Sequence, residues 1–283
     1  MLNRDVHNRT IKTAALITCC SILISCATPS EKFASTADRF GFSAFSIKTD
    51  RFIHQAFANF IDDSVFKYQP LHVYLDGDGT PWKNKYTIAN DPTARNPLIL
   101  KLMRRDPGPA ILLGRPCYYG LSQTVSCHPK YWTAQRYSTT VVKSMAEALN
   151  LWLLKHNVKQ LTLIGYSGGG ALAVLIAPYL PQKTSVITIA ANLDVAAWSR
   201  HHGYDPLTES LNPLDIKIPE TIRQIHLQGG KDAVVPPSTV QKFLLKNPSA
   251  RVLSFAQYTH QCGWVDHWPE ILRQAIAVNS TYH

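Results

Sequence analysis

The strongest constraint in this sequence is the run Gly-Tyr-Ser-Gly-Gly at positions 165–169. An apolar stretch, 160–164, leads into it, and small residues typical of a helix start follow it. A strand that turns directly into a helix strains the backbone of the central Ser167 and lifts its hydroxyl above the sheet. The flanking glycines leave room for the strand and the helix to approach each other. The pattern therefore predicts that Ser167 is a nucleophile, and the alternative is a plain glycine-rich turn.

Strand and helix patterns alternate on both sides of this turn. Predicted strands cover 71–75, 110–113, 160–166, 185–190, 222–227 and 251–255, and predicted helices cover 139–156, 168–177 and 265–278. This alternation favours an α/β fold with a mostly parallel, doubly wound sheet and helices on both faces. Ligands of such sheets bind beyond the carboxyl ends of the strands, and Ser167 follows one of these ends.

Two further strand ends carry the residues that a serine nucleophile requires. A serine hydroxyl needs a histidine to take its proton, and the imidazole needs a carboxylate that fixes its tautomer. Asp232 follows the penultimate predicted strand and His260 follows the last one. Serine, acid and histidine thus occur in the chain order expected for a triad on an α/β sheet. Asp194 is the alternative acid, and His267 is the alternative base.

Two backbone N–H groups must also face the carbonyl oxygen that becomes negative during acyl transfer. The amide of Gly168, directly after the serine, is one candidate for this oxyanion hole. The second is expected in the glycine-rich bend 76–79, where the Asp78 amide is favoured over that of Gly77. The alternative for this bend is an ordinary tight turn, since Asp-Gly pairs are common in turns.

An insertion at 192–219 has no clear periodicity and is interpreted as a short cap over the site. Trp198, with Tyr204 and Leu207, is expected to line an acyl pocket, and Tyr166 beside the nucleophile is also expected to bind substrate. The alternative is that the insertion is a plain surface connection. A cap this short predicts an open site rather than a long buried tunnel.

The first residues have the pattern of a secretion signal, because basic residues within 1–12 precede a short apolar stretch, 13–25. Leu-Ile-Ser at 23–25, followed by Cys26, resembles the bacterial lipobox, whose cysteine is lipid-modified on sulfur. Ala27 stands where inner-membrane lipoproteins usually have Asp. We therefore predict a lipoprotein signal peptide at 1–25 and an outer-membrane lipoprotein of the bacterial cell envelope. An ordinary signal peptide cut nearby, or a cysteine-rich anchor, is the alternative.

Beyond the signal, residues 26–45 are interpreted as a lipidated N-terminus and tether, and 46–283 as one domain. A hydrophobic content of 45% with 17% charged residues is ordinary for a globular protein. The formal net charge of +10 favours contact with anionic lipid headgroups near the anchor, with simple solubility as the alternative. Lysine and arginine are scattered, which argues against a nucleic-acid partner, and the oligomeric state stays open.

Three cysteines fall within the predicted exported domain. Cys117 and Cys127 share one loop rich in turn-forming residues, and an oxidising compartment favours a disulfide between them. Cys262 is then unpaired and is expected to be a buried thiol. The cysteines lack C-x-x-C spacing and His128 alone does not complete a ligand set, so we expect no zinc site. No other metal and no cofactor is expected.

With these motifs assembled, residues 65–278 resemble the α/β-hydrolase superfamily, specifically bacterial esterase-like serine hydrolases. The resemblance rests on the glycine–serine run at 165–169, on Gly-Lys-Asp-Ala-Val-Val-Pro at 230–236 and on Thr259-His260. These segments stand where the family keeps its nucleophile, acid and base. One departure is the bend 76–79, where many lipases have His-Gly, because a carboxylate there repels a developing oxyanion unless it is paired.

The resemblance implies hydrolysis of a small-molecule or lipid ester, or of a related acyl bond, through an acyl-enzyme intermediate. Cofactor-free perhydrolases and lyases keep the same triad and are not separated from esterases by these residues. A lipid-anchored, catalytically silent binding protein with a hydrolase fold is the alternative from a different functional class.

Overall fold

The computed structural model describes residues 27–60, 62–67 and 69–280, so the predicted signal peptide and Cys26 lie outside the described residues. In chain order the strands are β1 Ser43–Lys48, β2 Ile53–Ala58, β3 Leu71–Leu75, β4 Trp82–Asn84, β5 Thr87–Ile88, β6 Ala110–Leu113, β7 Gln160–Tyr166, β8 Lys183–Ile189, β9 Arg223–Gly229 and β10 Arg251–Phe255. The α-helices are α1 Pro29–Arg39, α2 Leu98–Arg104, α3 Thr139–Lys155, α4 Gly168–Ile176, α5 Val195–His202, α6 Gln241–Lys246 and α7 Trp268–Ser280.

Eight strands form one sheet in the order β1-β2-β6-β3-β7-β8-β9-β10, and β4 pairs with β5 in a separate hairpin. The strands from β6 to β10 in this order run parallel, whereas β2 runs antiparallel to both of its neighbours. The predicted mostly parallel, doubly wound sheet is confirmed. The order reverses direction between β3 and β7, and such a switch point opens a crevice at the carboxyl ends of the two strands.

The central strands are apolar because helices cover both faces of the sheet. Every residue of β3 is buried, and so is β7 after Gln160. Helices α3 and α4 pack together, while α2 contacts β3 and β6 and α7 contacts β9. The Trp268 indole at the start of α7 donates a hydrogen bond to the Tyr74 hydroxyl of β3 at 2.9 Å. The sequence patterns predict the bounds of these continuously apolar strands to within a few residues.

The segment interpreted as a tether is a packed helix from Pro29 to Arg39. Thr28 and Glu31 form a capping box in which each side chain accepts a hydrogen bond from the other residue's backbone N–H, at 2.7 and 3.2 Å. Phe33 is buried, with its ring centroid 4.5 Å from that of Tyr119. The structure thus corrects the tether interpretation over this helix, because the cap and one buried aromatic side chain order a largely polar segment.

Other short elements were missed by sequence patterns. Strand β1 is exposed along most of its length, so it lacks the continuous apolar run that marks the central strands. The hairpin β4–β5 and helices α2 and α6 have at most seven residues each, too few for a clear periodicity. The insertion 192–219 contains helix α5, which Asp194 caps through a hydrogen bond from the Ala197 N–H at 3.0 Å. Within the described ranges, none of the helices has the length and apolar character that crossing a bilayer requires.

The loop after β6 contains a disulfide between Cys117 and Cys127, as the sequence predicted. The bond closes a loop of ten positions, and both Cys117 and Tyr119 adopt left-handed backbone conformations, with φ of 73° and 56°. Cys262 is free, but it is exposed, so the expectation of a buried thiol is wrong. Its short loop holds it at the surface, where the Cys262 N–H donates to the Thr259 hydroxyl at 2.9 Å.

We expect Cys117→Ser to lower the free energy of unfolding by about 3 kcal/mol, because the crosslink restricts the unfolded chain. For a domain of this size that loss corresponds to a fall in Tm of about 6–12 °C in scanning calorimetry. Cys262→Ser is the control and should leave Tm almost unchanged, since its thiol makes no crosslink. An unaltered Tm in Cys117→Ser, or a crosslink to Cys262 in peptide mapping without reduction, would contradict the prediction.

Candidate active site

Ser167 lies in a strained turn between β7 and α4, with φ of 53° and ψ of −121°. Three backbone hydrogen bonds hold the turn: the Ser167 N–H donates to the Ile189 carbonyl at 2.9 Å, and the Ser167 carbonyl accepts from Gly170 and Asn192. A Cβ added to Gly169 would lie 2.1 Å from the Leu75 carbonyl oxygen. The glycine is therefore required by the close approach of α4 to the end of β3.

His260 joins the serine to a carboxylate. Its Nε2 lies 3.0 Å from Ser167 Oγ, and its Nδ1 lies 2.8 Å from Asp232 Oδ2. Because an ionised carboxylate only accepts, Nδ1 carries the proton, and Nε2 is left to accept the serine hydroxyl. Asp232 and His260 are both buried. The structure thus brings the three residues predicted as a triad into one hydrogen-bonded chain.

The backbone around Asp232 fixes the carboxylate in place. Its Oδ1 accepts two N–H groups, from Val234 and Val235, both at 2.8 Å, which leaves Oδ2 for the histidine. The acid loop is tied to the histidine loop through the Lys231 N–H, which donates to the Tyr258 carbonyl at 2.9 Å. Acid and base are therefore held relative to each other by main-chain contacts between neighbouring strand ends.

Neither alternative residue takes part in this chain of hydrogen bonds. Asp194 Oδ1 accepts from the Ala197 N–H and, at 3.2 Å, from Asn212 Nδ2, so its carboxylate caps a helix. His267 is exposed, and its Nδ1 lies 3.7 Å from a Glu270 oxygen on the same surface. The Asp194 and His267 side chains therefore contact neighbouring residues of their own segments and not the Ser167–His260–Asp232 chain.

A second serine–histidine pair lies inside the protein. His54 Nε2 is 2.8 Å from Ser144 Oγ, and its Nδ1 donates to the Gly114 carbonyl at 2.9 Å. Burial lowers the pKa of His54 to about 4, against a weaker opposing effect of the backbone hydrogen bond. Both side chains are buried, and within the described residues no carboxylate contacts this histidine. The pair has the features of a packing contact between β2 and α3.

The bend 76–79 lies against the serine turn and brings its backbone amides close to Ser167. Gly77 contacts the nucleophile, because a Cβ there would lie 3.4 Å from Ser167 Cβ, but its N–H already donates to Asp76 Oδ1 at 2.8 Å. The N–H groups of Asp78 and Gly168 have no acceptor among the described residues. The Asp78 amide is thus without an acceptor and the Gly77 amide is not, and the role of the Asp78 amide in an oxyanion hole stays a prediction.

The Asp78 carboxylate is paired with three donors that the sequence patterns did not reveal. Arg115 Nη2 lies 2.9 Å from Oδ1, Arg136 Nη1 lies 3.0 Å from Oδ2, and the Tyr137 hydroxyl donates at 2.7 Å. Although burial opposes ionisation, the two guanidinium groups hold the pKa of Asp78 below its usual range. The repulsion expected between this carboxylate and an oxyanion is therefore offset, because the cluster carries two positive charges and one negative charge.

One of the three donors has a position that the strand order explains once the sheet is known. Arg115 follows β6, which neighbours β3 in the sheet, so its position at the same strand edge as Asp78 follows from the parallel topology. Arg136 and Tyr137 lie at the far end of a long loop with no periodicity and carry no such signal. Gly168 is linked to them, since a Cβ there would lie 2.0 Å from Asp78 Oδ1 and 2.4 Å from the Tyr137 hydroxyl.

The residues expected to bind substrate have other contacts. The Trp198 indole donates to the Val234 carbonyl at 2.8 Å, so the cap packs on the acid loop. Tyr166 is mostly buried, and its ring centroid lies 5.0 Å from that of His260. Tyr166 therefore packs against the imidazole of His260, and Trp198 ties the cap to the acid loop.

Asp76, at the start of the same bend, is buried without a countercharge in hydrogen-bond contact. Its carboxylate accepts the Gly77 N–H and, at 3.2 Å, the Tyr119 hydroxyl. Burial raises the pKa of Asp76 to about 6 from an ordinary value of 3.8. The folded state disfavours the charged form, so this carboxyl lowers stability increasingly as the pH rises from about 4 to about 6, and by a constant amount above that.

We expect Asp76→Asn to become more stable relative to the native protein over this pH range. The difference in free energy of unfolding should grow by up to about 3 kcal/mol between pH 4 and pH 6 and then stay level. Urea unfolding of both proteins at several pH values measures it. A difference that is the same at pH 4 and pH 7 would show that Asp76 does not titrate in this range.

A scan with protein-family models finds no match to this chain, and a search of curated protein sequences finds none either. Solved structures are similar in fold. An α/β serine hydrolase without a lid from Xanthomonas campestris is 13% identical, with a TM-score of 0.53, over 86% of this chain and 96% of that one.

A Pyrococcus furiosus esterase is 13% identical, with a TM-score of 0.57, over 90% of this chain and 93% of its own. A membrane phospholipase A described as a bacterial virulence factor is 15% identical, with a TM-score of 0.54, over 88% and 90% of the two chains. At these identities the likeness concerns the fold. Sheet order, helix placement and the strained serine turn agree with it: the chain has the α/β-hydrolase fold.

Proposed function

We propose that this protein is a serine hydrolase that cleaves a carboxylic ester or a related acyl bond. The observation that carries the proposal is the continuous chain of hydrogen bonds from Ser167 through His260 to Asp232. It lies at the switch point of the sheet, where the fold binds ligands, and two unpaired amides flank the nucleophile. Fold and site support the same reaction class independently.

The geometry assigns each group a step. His260 Nε2 takes the Ser167 hydroxyl proton as Oγ attacks the carbonyl carbon, and Asp232 stabilises the resulting imidazolium. The oxygen of the tetrahedral intermediate becomes negative and accepts the Asp78 and Gly168 N–H groups. When the intermediate collapses, the imidazolium gives its proton to the departing alkoxide. A water molecule then attacks the acyl-enzyme with the same proton transfers, releasing the acid and restoring the serine.

The protein is further proposed to act at the bacterial cell envelope as an outer-membrane lipoprotein, with no cofactor. The support is the sequence: a lipobox-like Leu-Ile-Ser-Cys at 23–26, followed by Ala27. The net charge of +10 favours a location beside anionic lipids. Substrates are then esters of small molecules or lipids that reach this surface, and nucleic acid is not a partner.

Ser167→Ala should lower kcat for p-nitrophenyl acetate by several orders of magnitude, because the attacking oxygen is lost while alanine is small enough for the same turn. Ser144→Ala is the matched control, since it removes the hydroxyl of the buried serine–histidine pair. It should keep turnover near the native value and lower Tm instead. Comparable turnover in Ser167→Ala and the native protein would refute the nucleophile. Failure of the native chain to react with a fluorophosphonate probe would favour the catalytically silent binding protein.

Cys26→Ser should shift the protein out of the membrane fraction or leave it as unprocessed precursor, because sulfur is the proposed attachment atom. Fractionation of cells that produce the full chain, followed by mass spectrometry of the N-terminal peptide, measures this. Cys262→Ser is the control for loss of an exposed thiol and should fractionate like the native protein. Normal processing and membrane association of Cys26→Ser would rule out lipidation there.

A further inference from the structure

An exposed hairpin borders the active site and has no role in the mechanism above. The hairpin comprises residues 80–92 and contains β4 and β5. Its base is closed by two hydrogen bonds, from Thr80 N–H to the Pro92 carbonyl at 2.8 Å and from Ala89 N–H to the Pro81 carbonyl at 2.9 Å. It begins directly after the bend that carries the Asp78 amide. The hairpin therefore leaves the sheet at the same edge as Ser167.

The residues after the hairpin return to the histidine loop. Asn96 Nδ2 donates to Gln261 Oε1, one residue past His260, at 3.5 Å. On its other side the hairpin packs on the loop after the disulfide, where the Trp132 indole donates to the Ala89 carbonyl at 3.0 Å. These contacts place the hairpin on the rim of the site, between the oxyanion bend and the histidine loop.

The hairpin presents aromatic and basic side chains to solvent. Trp82 is 41% exposed and Tyr86 is 84% exposed, and Lys83, Lys85 and the nearby Arg95 are exposed beside them. Tryptophan and tyrosine have an apolar ring with a polar group, which favours the boundary between lipid headgroups and acyl chains. Lysine and arginine next to them attract anionic headgroups. The combination is typical of a surface that touches an anionic bilayer.

Exposed aromatic side chains are concentrated at this edge. Tyr204, 56% exposed, follows the cap helix, and the bond between Trp198 and the acid loop places the cap at the rim. Among the described residues the other exposed large aromatic is Tyr179, which lies after α4, away from the site. Exposed aliphatic side chains such as Leu154 lie near the end of α3, at the opposite edge of the sheet.

The start of the described chain lies beside the hairpin. The Ser30 N–H donates to Asp91 Oδ2 at 2.9 Å, and the Ser30 hydroxyl lies 2.9 Å from that of Thr93. These bonds fix the first turn of α1 at the rim and occupy Asp91, the acidic residue of the hairpin. Thr28, two positions after Cys26, is therefore held on the same side as the exposed aromatic residues.

We propose that this rim is a docking surface for an anionic bilayer and that the ester cleaved at Ser167 belongs to a lipid drawn from that bilayer. Trp82 and Tyr86 enter the headgroup region, while Lys83, Lys85 and Arg95 bind its negative charge. The opening of the active site then faces the membrane, and acyl chains reach Ser167 without crossing water. The choice of substrate rests on the proposed function, whereas docking itself does not.

The first test measures how fast the full chain hydrolyses two esters that share the same leaving group. Methylumbelliferyl acetate is soluble, and methylumbelliferyl palmitate is presented in vesicles of phosphatidylcholine and phosphatidylglycerol. Trp82→Ser with Tyr86→Ser should lower kcat/KM on the vesicles by about tenfold or more, since two rings no longer enter the lipid. Activity on the acetate should stay within about twofold, as for other surface substitutions.

The control removes two exposed apolar side chains at the opposite edge. Leu154 and Leu245 are 70% and 81% exposed, and Leu154→Ser with Leu245→Ser should leave both activities unchanged. Lys83→Gln and Lys85→Gln should each lower the vesicle rate by about fivefold at low salt, and only when phosphatidylglycerol is present. A hairpin variant that hydrolyses the vesicle ester at the native rate, or that loses both activities equally, overturns docking as the source of specificity.

The second test is independent of hydrolysis. Vesicles whose acyl chains carry bromine quench tryptophans that enter the bilayer, so they should quench the native chain. Trp82→Phe should lose most of this quenching, whereas Trp152→Phe, which replaces a buried residue on α3, should keep it. If the native chain hydrolyses neither ester, the proposed function fails and the quenching alone decides docking. Equal quenching of Trp82→Phe and the native chain overturns docking even if both esters are cleaved.

Discussion

The close backbone contact between the serine turn and the end of β3 is the constraint on which the site depends. Gly169 has no side chain because the Leu75 carbonyl occupies that space, and the same contact brings Gly77 against Ser167. Ser167 and the bend 76–79 therefore belong to one rigid unit. The strain of the Ser167 backbone persists because the Ile189 carbonyl and neighbouring amides hold the turn in place.

A buried charge next to the nucleophile imposes the second constraint. Asp78 is stable as a carboxylate only because Arg115 and Arg136 approach it, and a buried charge without such partners costs several kcal/mol, on the order of 3–5. The same arginines offset the negative charge that this carboxylate places beside Ser167. Arg115 lies two positions before Cys117 in the chain. The Cys117–Cys127 bond therefore restrains the loop that begins beside this arginine.

The longer loops and the hairpin of this chain lie at the carboxyl ends of the strands. The hairpin, the disulfide loop, the cap and the histidine loop all begin there, and hydrogen bonds link them, as between Trp198 and Val234 or Asn96 and Gln261. Helix α1 joins the same edge through Ser30. The candidate active site and the proposed docking surface therefore lie at one edge of the sheet, above the apolar strands of the core.

The sequence by itself determined the central strands, the serine turn and the disulfide, because continuous apolar runs, tight glycine spacing and shared loops are local signals. The order of Ser167, Asp232 and His260 along the chain could also be read from the sequence. Only the tertiary structure decided between Asp232 and Asp194, since both follow strands and differ solely in which partner reaches the carboxylate. It likewise decided that residues 29–39 form a helix and that the Asp78 charge is compensated. These outcomes depend on contacts between segments far apart in sequence, which no local pattern encodes.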